Sequence, residues 1–166
     1  MLPTAAYGNL IVIDAVWMTP RVLLWSRWLL DSYCYWTGRE LIEREGGLES
    51  QAGRLFGTAI VVVSHGTEGD PLLNYGNQAA LDLWETTWEQ FVTTPSRLTA
   101  PAADRDERQR MLESADARGF FDAYRGVRVT MSGRRFLIEN AQVWTVLDTG
   151  GARVGQAATF SHWTWL

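Results

Sequence analysis

The chain contains no lysine: all 15 of its basic residues are arginine. Schiff-base chemistry and lysine general-base chemistry are therefore excluded. A GC-rich coding sequence is the plain explanation for that bias. Cysteine is almost absent too. Cys34 stands alone, so no disulfide framework, zinc cluster or iron–sulfur site can be assembled within one chain. A reducing cytoplasm fits that usage. The two histidines, His65 and His162, are far apart with no ligand spacing, and no metal site is expected. Positive charge is in deficit at a net −4, which leaves no surplus for phosphates and argues against nucleic-acid binding. No apolar run is long enough to span a bilayer. The stretch from Leu10 to Met18 is interrupted by Asp14 and lacks a basic flank and a small-residue cleavage site, so it does not read as a signal peptide.

What is present is enough for a core. Hydrophobic residues make up 46% of the chain and charged residues 20%, the balance of a folded single domain. Nine tryptophans must be placed in a core, a pocket or a subunit interface. Residues 1–18 are expected to be a short arm or translated upstream sequence, with Met18 as the true start. Residues 19–166 are expected to form one domain, with N-terminal helices over 20–57 and the main core over 58–164.

Thr19-Pro20 reads as a helix cap with proline at the first helical position. Val22, Trp25, Leu29, Tyr33 and Trp36 then recur at three- and four-residue steps, a heavily aromatic amphipathic stripe that Trp28 and Tyr35 widen. Gly38 interrupts, Leu41 and Ile42 carry on briefly, and a second short helix follows from Leu48. Ala59 to Val63 is a buried strand by length and β-branching. A turn-rich loop leads to a second short strand at Leu72–Tyr75. Gly76 is read as permitting a tight turn through positive φ, and Asn77 as the N-cap of the next helix. Short helical turns around Trp88 and Phe91, a Pro-bounded bend at 95–101 and an exposed charged helix over 104–118 come next. The last third is β: Tyr124–Met131, a Ser132-Gly133 turn, Arg134–Asp148 and Val154–Trp163. On the long strand, Phe136, Ile138, Asn140, Gln142, Trp144 and Val146 are expected on one face. Leu137, Glu139, Ala141, Val143, Thr145 and Leu147 are expected on the other. Both faces are mainly apolar, so this strand is expected to be central, with Glu139, Asn140 and Gln142 as buried polar groups and Arg128 or Arg97 as partner of Glu139.

Three stretches together carry a family resemblance: Leu73-Asn74-Tyr75-Gly76-Asn77-Gln78-Ala79-Ala80-Leu81 with Trp84-Glu85; Pro95-Ser96-Arg97-Leu98-Thr99-Ala100; and Gly133-Arg134-Arg135-Phe136 with Ile138-Glu139-Asn140-Ala141 and Trp144. The set resembles the MEKHLA domain family over roughly residues 20–166. That PAS-like domain closes plant homeodomain–leucine-zipper proteins of the third class and also occurs as a stand-alone bacterial protein. The resemblance implies an α+β, PAS-like fold: a five-stranded antiparallel sheet with helices on one face, plus an N-terminal amphipathic helix. It implies a sensory or regulatory role and no established reaction. The homeodomain and zipper have no counterpart in this sequence, so DNA binding does not carry over. No Asn-Cys-Arg-Phe-Leu-Gln motif matches the flavin-binding relatives, and the 104–118 helix has no histidine for haem, so neither cofactor is expected.

The function expected from the sequence is a non-enzymatic PAS-like sensory module. It would bind a small molecule and act through homodimerisation or a partner protein. The candidate ligand-binding residues are Asn74, Tyr75, Asn77, Trp84, Arg97, Arg128, Glu139, Asn140 and Trp144. The candidate dimer seam is Trp25, Trp28, Leu29, Tyr33, Tyr35 and Trp36. No catalytic residue is assigned. The alternatives are a binding protein or minor enzyme using Arg97, Glu139 and His65, and a purely structural dimerisation module.

Overall fold

The computed structural model describes residues 15–166, and the expectations for residues 1–14 lie outside that range. Val16–Met18 form one 3-10 turn, and Trp17 stacks on Phe56 with ring centroids 4.8 Å apart. The end of the segment expected to be an arm thus joins the core. Helix α1 (Pro20–Thr37) starts at a proline whose missing amide costs nothing in the first turn. It stops at Gly38, where φ of 70° lets the backbone turn out of the helix. The expected continuation through Leu41 and Ile42 is not helical, because the cap at Gly38 has already ended the ladder. Helix α2 (Leu48–Gly57) follows.

Strands β1 (Val61–His65) and β2 (Leu73–Gly76) lead into helices α3 (Gln78–Trp84), α4 (Trp88–Phe91) and α5 (Arg105–Arg118). Strands β3 (Phe120–Val129), β4 (Arg135–Leu147), β5 (Arg153–Phe160) and β6 (Trp163–Trp165) complete the chain. The sheet runs in the order β2-β1-β5-β4-β3, with β6 also on β4, and every pairing is antiparallel. The expected α+β fold, with its five-stranded antiparallel sheet, is present. Among the described residues, no helix is long and apolar enough to cross a membrane.

Two local readings change. Gly76 does not have positive φ. Its lack of a side chain serves close approach instead, since a Cβ there would lie 2.6 Å from the ring of Phe91. The last strand is divided in two, yet β5 and β6 continue one register along β4, with Gln142 opposite Thr159 and Ile138 opposite Trp163. The break falls at Asn140, whose φ is 55°, while Ala123 on the adjoining stretch of β3 has φ 60°. These are matched irregularities in neighbouring strands.

The Asn140 irregularity exchanges the faces of β4. Before it, Phe136 points toward α3 and meets Trp84 edge-on at 5.3 Å. After it, Trp144 points the other way and meets Tyr33 of α1 at 5.1 Å, beside Gln142, whose Oε1 accepts from the Tyr33 hydroxyl at 2.7 Å. The expected common face from Phe136 to Val146 is therefore two half-faces. Glu139 and Asn140 are exposed rather than buried, because they sit where the alternation slips.

Helix α1 closes its own sheet. Trp25 Nε1 donates to Ser64 Oγ (2.9 Å), Trp28 Nε1 to Thr149 Oγ1 (3.1 Å) and Trp36 Nε1 to the Thr145 carbonyl (2.9 Å). Leu29 and Tyr33, expected at a dimer seam, are 0% and 6% exposed within the single chain. They are occupied by intramolecular packing and leave the candidate seam, while Trp25, Trp28 and Trp36 are half-buried against the sheet. Tyr35 alone of that set stands free, 70% exposed. Thr145 is tied on both sides: its carbonyl serves Trp36, its hydroxyl donates to Asp116 Oδ1 on α5 (3.0 Å), and its amide donates to Gly119 O (2.8 Å).

Candidate functional site

The opposite face of the sheet, under α3–α5, is not filled. A cavity of about 50 Å³ lies there, walled mainly by apolar side chains that include Val63, Leu73, Trp84, Phe91, Leu112, Ile138, Val143 and Phe160. Val143 and Ile138 both reach it only because Asn140 shifts the alternation between them. The polar part of the wall includes Ser96, Thr99, Arg108, Tyr124, Arg128, His65 and Gln156. A wider recess of about 430 Å³ lies outside, between the 66–71 loop and α5. The recess and the cavity share His65, Ser96, Arg108, Leu112 and Gln156, which form the partition between them.

Two buried arginines dominate the chemistry. Arg108 is 8% and Arg128 7% exposed. Arg108 Nη2 donates to Ser96 Oγ at 2.6 Å. Arg128 Nη2 donates to the Tyr124 hydroxyl at 2.6 Å and Nη1 to the Val127 carbonyl at 2.9 Å, with the guanidinium 5.3 Å over the Tyr124 ring centre. Gly126 makes this fold-back possible, since a Cβ there would lie 3.1 Å from both Arg128 Nη1 and the Tyr124 hydroxyl. Among the described residues neither arginine forms an ion pair with a carboxylate. Burial first, and then the positive charge of Arg128, pushes the Arg108 guanidinium down to about 10. Two donors on residues of the cavity wall, Arg108 Nε and Trp84 Nε1, are buried without a partner.

His65 sits at the partition. Its Nδ1 is 2.9 Å from Gly66 O and its Nε2 3.3 Å from Gln156 Oε1. Burial lowers its pKa below the ordinary value, and the charges of Arg108 and Arg153 add to that against the raising effect of those two hydrogen bonds. Gln156 in turn donates to Leu112 O on α5 at 2.9 Å.

Of the sequence-derived candidates, Trp84 and Arg128 line the cavity. Asn77 does not. Its Oδ1 accepts from the Val62 and Ala80 amides, and its Nδ2 donates to the Leu55 and Ile60 carbonyls, so its hydrogen-bonding capacity is committed to backbone. Asn74 accepts from Ser64 Oγ at 2.6 Å, and with Tyr75 it borders a surface groove beside α1 on the other face. Trp144 is fully buried beneath α1. Arg97 lies in the outer recess and pairs with Asp70 at 3.1 Å, both half exposed, rather than with Glu139. Glu139 pairs instead with exposed Arg125 at 2.9 Å, and Asn140 is exposed at the strand irregularity. Arg97 and His65 both line the outer recess, but Glu139 lies elsewhere, so the trio is not assembled. Among the described residues there is no group of three or more His, Cys, Asp or Glu arranged for a metal ion.

Arg108, Tyr124 and Gln156 were not foreseen as site residues. One signal was available for Arg108. It shares a helical face with Met111, Leu112 and Ala115, the apolar positions of an otherwise charged helix, so a charge there is placed inward.

Comparison with known proteins agrees with this architecture. A family model for the MEKHLA domain matches residues 23–165. The chain is similar to homeobox-leucine zipper protein ATHB-9 of Arabidopsis thaliana, 29% identical over 157 residues, which cover 89% of this chain and 18% of that protein. It spans the same 18% of the related ATHB-14, at 26% identity. Among solved structures it resembles a PAS domain from Colwellia psychrerythraea, with a TM-score of 0.59, 16% identity, and coverage of 68% of this chain and 92% of that one. It also resembles an RNA-binding Light-Oxygen-Voltage receptor, with a TM-score of 0.60, 16% identity, and coverage of 72% and 34%. At such identities the structural likeness speaks for the fold alone.

Proposed function

The chain belongs to the MEKHLA domain family and carries a PAS-like sensory fold, and from that premise we propose that it is a ligand-responsive regulatory module whose ligand occupies the cavity beneath α3–α5. The observation that carries this reading is the partition. A small, mostly apolar cavity and a wider, more polar recess meet at five shared residues, so a small molecule has both a destination and a way in. The size of the cavity supports a ligand far smaller than flavin or haem. Cys34 lies on α1, across the sheet from the cavity. Among the described residues no serine or cysteine hydrogen-bonds to a ring nitrogen of His65, and this supports binding over turnover.

A ligand-observed NMR fragment screen tests the reading. Fragments that bind the wild type are expected to lose binding in Ala158→Phe, a substitution opposite Val143 that fills the cavity. A screen with no binders, or binders indifferent to Ala158→Phe, rejects it. Output through a second copy of the chain rests on the exposed Tyr35 and Leu24 of α1. Sedimentation at micromolar concentration should then show a dimer that Tyr35→Glu weakens, and a clean monomer refutes this output.

A further inference from the structure

Resting on that reading of the cavity, we infer that the ligand is a small monocarboxylate, its head group held by Arg108 and Arg128 and its short apolar tail lying against Trp84, Ile138 and Phe160. Among the described residues, the cavity wall carries two guanidinium groups and no carboxylate. Arg108 is buried beyond nine-tenths, keeps one N–H without a partner, and shares the wall with a second arginine buried as deeply. Two buried positive charges with no carboxylate partner among the described residues repel each other and are poorly solvated, and a bound anion would relieve both costs. The neighbouring arginines of the outer recess are already paired, Arg97 with Asp70 and Arg153 with Asp116. Of the arginines that line the cavity and the recess, Arg108 and Arg128 are those without a carboxylate partner among the described residues.

The class of anion follows from shape. The volume of about 50 Å³ holds on the order of four water-sized positions, room for a head group and a tail of two or three carbons. Most of the wall is apolar, so a tetrahedral oxyanion would turn some of its oxygens toward hydrocarbon. A planar carboxylate keeps its oxygens on one side, matches the guanidinium fork and leaves the rest of the ligand apolar.

The test is calorimetric titration of the full chain with sodium butyrate, butyramide and sodium phosphate at constant ionic strength, repeated on Arg108→Gln and Arg128→Gln. Butyrate is expected to bind saturably and at least tenfold more tightly than butyramide or phosphate, and each substitution to weaken it at least tenfold. Ligand-free Arg108→Gln is also expected to melt higher than the wild type, because it removes a buried unpaired charge. Equal binding of butyrate and butyramide overturns the inference and leaves the cavity reading intact. Phosphate binding as tightly as butyrate overturns the carboxylate assignment in the same way. No butyrate binding, with neutral fragments still displaced by Ala158→Phe, overturns the inference alone. No binder of any kind removes both. A melting temperature lowered by Arg108→Gln with butyrate affinity unchanged makes the arginine structural and also overturns it. The butyrate–butyramide comparison on wild-type protein decides the matter even where a variant does not fold.

Discussion

The two faces of one sheet are completed differently. Against α1, aromatic side chains fill the space and anchor their polar tips: Trp25, Trp28, Tyr33 and Trp36 each donate a hydrogen bond to the sheet or its connecting loop. Against α3–α5 the packing stops short of the strands, and two buried arginines there have no carboxylate partner among the described residues. The aromatic packing against α1 contributes stability, although Tyr75 and Trp144 keep a buried polar atom without a partner there. The buried arginines on the other face cost stability where no counter-charge meets them. In this molecule the tryptophan-rich stripe is occupied by its own sheet, and the charged helix α5 covers the candidate site.

The comparison is broken most directly at Trp144. Trp144→Ala should lower unfolding free energy by about 3–5 kcal/mol, since it leaves an aromatic-sized void under α1. Chemical denaturation measures this, and a midpoint near that of the wild type would mean that the α1 face is not what holds the fold. Asn77→Ala comes next, at about 2–4 kcal/mol, because one side chain caps α3 and serves three further backbone groups. A loss no larger than that of an exposed cap would show those inner bonds to be unimportant.

The cavity face is expected to lose stability in acid. The pKa of His65 is lower in the folded protein than its ordinary 6.5. The unfolded chain therefore binds the extra proton, so this contribution to stability is complete above the unfolded pKa and is lost as pH falls through 6.5 toward the folded value. Urea midpoints at pH 7.5 and 5.5 should differ more for the wild type than for His65→Gln. Equal differences would place the acid sensitivity elsewhere. The smallest effects are expected for Arg97→Ala and Glu139→Ala. Their exposed ion pairs are worth about 0.5 kcal/mol or less, and both variants should bind cavity ligands as the wild type does. A large loss of binding in either would move the site outward to the recess.

Much of the fold was legible because its signals are local. Asn77 caps the helix its sequence position suggests, Gly38 and Gly119 end α1 and α5 through positive φ, and the strands lie close to where the β-branched runs fall. The site was less legible because it depends on phase and partners. Strict alternation along β4 assumes an unbroken pleat, and a single left-handed residue at Asn140 moves Val143 to the cavity and Trp144 to α1. Arg97 and Glu139 drew notice through their motifs, but each found a nearby exposed opposite charge. Arg108 lay among many charges on α5, and its burial depends on β3 and on Ser96 rather than on its neighbours in sequence.

Thr145 ties together the two helical layers that the sheet separates. Its hydroxyl donates to Asp116 on α5, the helix over the cavity, and its carbonyl accepts from Trp36 on α1. The cover of the candidate site and the helix on the opposite face therefore share a point of attachment on β4, one residue long.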